Sequence, residues 1–292
     1  MLWLYLALLA YFINAAVFII DKYLLAGHMP KYHAYAFGVA VLSLSAFFLI
    51  PFGVYLPSPG NLLVMIGSGA IFFIGLLLLY KSIKESDVSV VATQVGTMGA
   101  VFTYVFSALI LKDTLSPINF LSFLFLVSGI FLLGRIEKRI LFWAIFAGVS
   151  FGMYYVLLKL SFNMVGFVNG LFWTRVGFVG GAFASLIFPH VRKEIKFTYD
   201  YSPVKSKALF VFNKFLAGVG FLVLYFAINL GNVSLVNGLL GIQFFLTFIL
   251  ALFLGGKISG IREKTDRLTI THKLSGILAV LMGFLILFVQ NV

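Results

Sequence analysis

YKSIKESDVSVVATQVGTMGAVFTYVFSALILKDTLS, running from Tyr80 to Ser116, sets the frame for the whole chain. It holds the end of one hydrophobic helix, a short charged turn, a complete second helix and another turn. Much of it returns 145 residues later. Under that shift Tyr80 meets Tyr225, Ile83 meets Ile228, Val88 meets Val233, Ser89 meets Ser234, Val91 meets Val236 and Gly96 meets Gly241. The chain has 292 residues, so the shift is close to half its length. One unit is used twice, and an internal repeat governs how every other segment is read. The expected units are residues 1–135 and 136–292.

Composition says where such a chain lives. Hydrophobic residues make up 62%, charged residues 10%, and the mean hydropathy is +1.11. Soluble domains are about 45–50% apolar and about 25% charged. This chain has too little polar surface to cover a water-soluble globule, so it is expected in a bilayer. It has no cysteine, which excludes disulfides and thiolate metal sites. The first segment starts at Leu2 without a basic region and stays apolar through Ile20, long enough to span rather than to serve as a cleaved signal.

A helical span needs about 20 mostly apolar residues. Ten are expected, at 2–25, 33–51, 61–81, 88–111, 116–134, 139–159, 166–188, 208–229, 233–254 and 272–290. The runs do not alternate in polarity, so the fold class is an all-α polytopic membrane protein. Ser116-Pro117 reads as an N-cap followed by proline at the first helical position. Pro189 is expected to close span seven. Two stretches, His190 to Lys207 and Lys257 to Lys273, are too polar for lipid and read as loops. Five spans per unit is an odd number, so the second unit enters the membrane upside down. That is the inverted-repeat layout of many secondary transporters, with the substrate site near the midplane between the halves.

The loops after spans one, three, five, seven and nine hold 18 of the 21 lysines and arginines, counting Lys214 just inside span eight. Lys112 and Lys159 lie opposite, and Arg175 lies within span seven. The positive-inside rule puts the basic side in the cytoplasm and both termini outside.

Three stretches resemble the drug/metabolite transporter superfamily, specifically its EamA-like ten-helix transporters. Tyr80 to Val91 is similar to that family's passage into its fourth helix. LILKDTLS, from Leu109 to Ser116, stands where the family carries a glycine–glutamate turn. FLSFLFLVSGIFLLG, from Phe120 to Gly134, resembles its glycine-bearing fifth helix. Tyr225 to Leu235, Leu252 to Lys257, and the last span with Gly276 and Gly283 repeat these in the second half. The family's proline in helices four and nine is absent; Gly96-Thr97-Met98 and Gly241-Ile242-Gln243 stand there. The resemblance implies a secondary transporter, most often an exporter, of a small organic metabolite such as an amino acid, in the cell (inner) membrane. It also implies termini inside, against the charge bias.

Polar side chains inside lipid are costly and face a bundle interior or a wet cavity. On span one Tyr11, Asn14, Phe18 and Asp21 share a face at helical spacing. Asn14 is either a site residue or a helix–helix hydrogen bond. Asp21, nearer the end, is expected to pair with a lysine. On span four Gln94, Thr97, Val101 and Tyr104 share a face, read as a site wall or as small-residue packing beside Gly96 and Gly99. On span six Gly148 and Gly152 form a packing face continued by Tyr155 and Lys159, the lysine expected at the interface. Arg175 lies deep in span seven, where a charge costs about 2.5–3.5 kcal/mol. It is expected either to fork onto a carboxylate or phosphate, or to pair with carbonyls or Asp21. Asn237 and Gln243 are the polar candidates of span nine. Tyr80 and Tyr225 are expected in the interfacial aromatic belt.

The substrate-binding set is therefore Tyr11, Asn14, Gln94, Thr97, Tyr104, Tyr155, Arg175, Asn237 and Gln243. No catalytic residue, metal or cofactor is expected, and no enzyme activity. No phosphate loop of ATPase type and no metal-spaced histidine pair occurs in a span. No span centre is expected to carry Asp or Glu, which disfavours proton-coupled export of cations. Partners are a small-molecule substrate and the lipid bilayer, with proton or ion coupling left open, no nucleic acid, and a monomer or homodimer. The alternatives are a translocator of lipids or lipid-linked head groups, fed by the basic loops, and a non-transporting membrane scaffold.

Overall fold

The computed structural model describes residues 1–29, 31–134, 136–254 and 267–290. All of its elements are helical, with no strand among those residues. In order they are α1 Leu2–Tyr23, α2 Tyr32–Leu42, α3 Pro59–Glu85, α4 Val88–Phe106, α5 Pro117–Leu133, α6 Lys138–Ser185, α7 Pro189–Tyr201, α8 Val204–Leu230, α9 Val233–Gly238, α10 Leu240–Leu254 and α11 Arg267–Gln290. Eight helical stretches are long and apolar enough to cross a membrane, and Pro117–Leu133 is a shorter apolar helix.

Several ends depart from the expected ones for local reasons. α1 does not stop at Tyr23; it continues through a π-helical turn, Leu24–His28. That puts Asp21 more than a turn inside the helical run. α2 tightens into a 3-10 helix, Ser43–Phe52, and ends at Gly53 in the left-handed region. Ser116 does cap α5, accepting from the Asn119 amide at 3.4 Å with Pro117 at the first helical position.

Spans six and seven are one 48-residue element. Straight, it would be about 72 Å long, more than twice the roughly 30 Å hydrocarbon core. It bends instead at Gly166, whose φ of 78° is open to glycine and strained for other residues. The arms are 138–165 and 167–185. The second arm holds the loop that follows α2: Asn169 Oδ1 accepts from the Tyr55 amide at 2.9 Å, and Trp173 Nε1 donates to the Tyr55 carbonyl at 2.9 Å. Trp173 is thus committed to that loop.

The stretch His190–Lys207 is largely helical, not loop. Pro189 opens α7 rather than closing span seven, and Pro203 caps α8. α7 buries Val191 and Thr198, two turns apart, and exposes Tyr199 and Tyr201. Polar composition hid this one-sided helix, which suits a membrane surface. Glu194 ties it to α2 through His33 at 2.8 Å and Lys31 at 3.9 Å. The second polar insertion lies outside the described residues up to 266; from Arg267 the chain is helical.

Glycines set the closest crossings, as expected where small residues let helices approach. A Cβ on Gly69 of α3 would lie 2.0 Å from the Thr174 carbonyl oxygen, and one on Gly177 would lie 2.2 Å from that of Ile66. Gly148 and Gly152 press on α4 at Met98 and Thr103. Gly129 of α5 meets Gly276 and Val280 of α11, and Ser122 donates to the Gly283 carbonyl at 2.6 Å. α1 lies along α8, where Gly220 faces Ile13 and Asn14.

Two lysines close helix ends. Lys22 donates to the carbonyls of Ile83 at 2.8 Å and Ser86 at 2.6 Å, at the end of α3. Lys159 donates to those of Ile228, Asn229 and Gly231 at 2.8–3.1 Å, at the end of α8. A cation there satisfies orphan carbonyls and meets the negative end of the helix dipole. Lys159 is thus committed to the end of α8 and is not part of the cavity wall described below.

Candidate functional site

A cavity of about 450 Å³ lies among the helices, walled by α1, α2, α3, α4, α6, α8, α9 and α10. That volume is in the range of small-molecule sites. Tyr11, Asn14, Phe18 and Asp21 of α1 all line it. So do Tyr155 and Arg175 on the two arms of α6, and Asn237 and Gln243 on α9 and α10. The rest of the wall is mostly apolar, including Phe72, Leu76, Phe221 and Phe244.

The three remaining candidates are elsewhere. Gln94 and Thr97 are buried but off the wall, and Tyr104 stacks on Phe120 and Phe123 of α5 with ring centroids 5.5 and 5.2 Å away. α4 shows the cavity its other face, Ala92, Val95, Gly96, Gly99 and Ala100. Polarity was the wrong guide to its phase. The small apolar face makes the room, while Gln94 and Thr97 are buried away from it and Tyr104 packs on α5.

The individual side chains are well fixed. Tyr11 is fully buried and donates to the Val236 carbonyl at 2.8 Å, tying α1 to α9. Asn14 presents Oδ1 to Gly220 without a hydrogen bond. Asn237 donates to the Val233 carbonyl at 3.1 Å. Such local bonds orient an amide without consuming all its donors and acceptors.

At one end of the cavity Asp21 is the acceptor of a tight cluster. Its Oδ1 receives Lys214 at 2.5 Å, Asn213 at 2.6 Å and the Tyr35 hydroxyl at 2.7 Å. Lys214 also donates to the Tyr80 hydroxyl at 3.1 Å. Asp21 is 3% exposed. A buried ion pair survives only with extra hydrogen bonds of this kind. The lysine partner is as expected, but the pair sits in the interior, because α1 runs on past Tyr23. Lys214 had been counted with the basic loops, although the run VFNKFLAG is apolar on both sides of it.

At another point of the wall Arg175 Nη2 donates to the Tyr225 hydroxyl. Its guanidinium carbon lies 5.0, 5.5 and 5.8 Å from the ring centroids of Tyr225, Phe72 and Phe178. Asp21 is not its partner. Tyr80 and Tyr225 are buried inside the bundle, at 3% and 0% exposure, not in an interfacial belt. Their placement at one position of the repeat was the signal available for them: each hydroxyl meets a cation, Lys214 at Tyr80 and Arg175 at Tyr225.

Membrane-length helices packed around a cavity of small-molecule size make this a multi-pass helical membrane protein. The model of the EamA-like transporter family, which is part of the drug/metabolite transporter superfamily, matches residues 1–135. No curated protein matches the chain. One solved structure, titled only "Crystal structure of protein", is similar over 99% of this chain and 96% of its own, with a TM-score of 0.66 at 13% identity. At that identity the likeness concerns the fold.

Proposed function

We propose that this protein is a secondary transporter of a small organic metabolite, working by alternating access around the cavity between two inverted five-helix units, 1–135 and 136–292. Both arms of α6 and the short α5 then each cross the membrane, giving ten crossings. The packing supports the reading. α1 lies against α8, and the first arm of α6 lies against α3, its counterpart pairing; α5 and α11, the fifth helix of each unit, lie against each other. Lys22 and Lys159 end the first helix of each unit and cap its third helix. Ile83 and Ser86, shifted by 145, are Ile228 and Gly231, which accept from Lys159.

The observation that carries the proposal is the cavity itself, walled by polar groups of both units. The charge bias supports a reading in which the basic face, with α7 and Lys31, is cytoplasmic and both termini lie outside, against the orientation that the resemblance implies. Export is the direction implied by the resemblance.

The test is exchange in proteoliposomes. Vesicles loaded with a panel of amino acids, organic acids and nucleosides are expected to take up at least one labelled member faster than protein-free vesicles. Gly218→Trp is expected to abolish this exchange without changing the melting temperature. Gly218 lines the cavity on its open side, and nothing lies within 4 Å of where its Cβ would be, so an indole there is expected to occupy the opening. No exchange across the panel, or full exchange in Gly218→Trp, would contradict the proposal.

A further inference from the structure

We infer that the cavity takes a compound with one carboxylate on an apolar body, the carboxylate seated on Arg175; this deepens, and rests on, the transporter reading. Three charged side chains line the cavity: Asp21, Lys214 and Arg175. Asp21 and Lys214 cancel one another at 2.5 Å. Arg175 has no carboxylate within ion-pair distance among the described residues. Its contacts are one hydroxyl and three aromatic rings. A guanidinium has five N–H donors, and cation–π contacts offset only part of the cost of burying its charge. The cavity is thus a cationic site in need of an anion, with a planar fork that matches a carboxylate.

The spacing of the charges argues against a zwitterion. Lys214, which holds Asp21, and Tyr225, which holds Arg175, are both on α8, eleven residues apart. At 1.5 Å per residue the backbones of these two anchors are about 16 Å apart along the helix, which sets the two charged groups at different levels of the cavity wall. An α-amino acid carries its ammonium one carbon from its carboxylate. The carboxylate on the wall that could receive that ammonium is Asp21, whose Oδ1 already holds three donors, one of them the Lys214 ammonium. An amine would sit among aromatic walls without a carboxylate. An aryl or alkyl body would be welcome there, against Phe18, Phe72, Phe221 and Phe244.

Such an anion has two sources, water and the bilayer. Phe48 and Leu222, on the continuation of α2 and on α8, line the cavity and are 80% and 49% exposed within apolar helical stretches. The cavity therefore reaches the lipid-facing surface between these helices, and a membrane-dissolved acid has a side route.

The experiment uses the full chain in nanodiscs, with labelled octanoate as probe. Octanoate is expected to bind, and oleate to compete for the same site. Octanol, octylamine and phenylalanine are expected to compete at least about tenfold less well. Arg175→Gln is expected to weaken octanoate binding by about 10- to 100-fold, the loss of a charge-assisted hydrogen-bonded pair, with Arg175→Lys in between. If Arg175→Gln fails to fold, the octanoate-against-octanol comparison on the unaltered protein decides. Octanoate tighter than oleate identifies water as the source and oleate tighter identifies the bilayer; both uphold the inference. No octanoate binding, or octanol or phenylalanine competing as well as oleate, overturns it. Exchange of a neutral solute without carboxylate competition removes this inference and leaves the transporter reading standing. Arg175-dependent octanoate binding with no exchange of any solute does the reverse.

Discussion

Lys214→Met is expected to destabilise the folded protein by about 3–5 kcal/mol, the cost of leaving one member of a buried ion pair alone. The substitution keeps most of the side-chain volume. What it removes is the ammonium that meets Asp21 at 2.5 Å and Tyr80 at 3.1 Å. Asp21 would retain Asn213 and Tyr35, which donate without neutralising its charge. The check is a double-mutant cycle read by thermal unfolding. Asp21→Asn together with Lys214→Met should recover most of the loss, since both charges are then gone from the interior. A Lys214→Met protein that melts with the parent would mean that the pair is not buried.

Gly69→Leu is expected to abolish close packing of α3 on the second arm of α6, with a severe loss of folded yield. Its Cβ would fall 2.0 Å from the Thr174 carbonyl oxygen and 2.3 Å from the Phe178 amide nitrogen. Those are backbone atoms, so no rotamer change relieves the clash and the helices must part. Overpacking in ordinary cores costs about 1–3 kcal/mol, and more where backbone has to move. Moving this arm also moves Arg175, which lies between Thr174 and Gly177. Gly180→Ala is the control. It lies on the same arm with nothing within 4 Å of its Cβ, and alanine is about 1 kcal/mol the better helix former. It should leave yield and melting temperature unchanged or slightly improved.

Much of the architecture is legible in the sequence because lipid imposes it. Long apolar runs can only be helices there. Ile83 and Ile228, which the 145-residue shift aligns, also occupy corresponding places in the structure: each lends its backbone carbonyl to a lysine at the end of a helix. The lysines themselves escape the alignment, since Lys22 and Lys159 are 137 residues apart, not 145. The site was half legible. The α1 face from Tyr11 to Asp21 and the depth of Arg175 follow from helical spacing and apolar flanks. The face of α4 does not, because Gln94 and Thr97 are buried off the wall and Tyr104 packs on α5, while glycine, alanine and valine face the cavity. Lys214 was lost to the loops because positive charge near a helix start ordinarily belongs to the interface. Only the tertiary fold brings Asp21, Asn213, Tyr35 and Tyr80 around it. The absence of an acidic residue at a span centre was read against proton coupling, yet Asp21 is buried on the cavity wall. α7 was hidden by its composition, which is that of a loop, while its buried residues keep helical spacing.

The most direct test of alternating access uses the absence of native cysteine. Gly218→Cys places one thiol on the open cavity wall. Oriented vesicles carrying this variant are treated with a membrane-impermeant maleimide from either face. The expected result is labelling from both faces, slowed from each by a transported substrate. Labelling from one face alone, with or without substrate, would contradict a site that is exposed in turn to the two sides of the membrane.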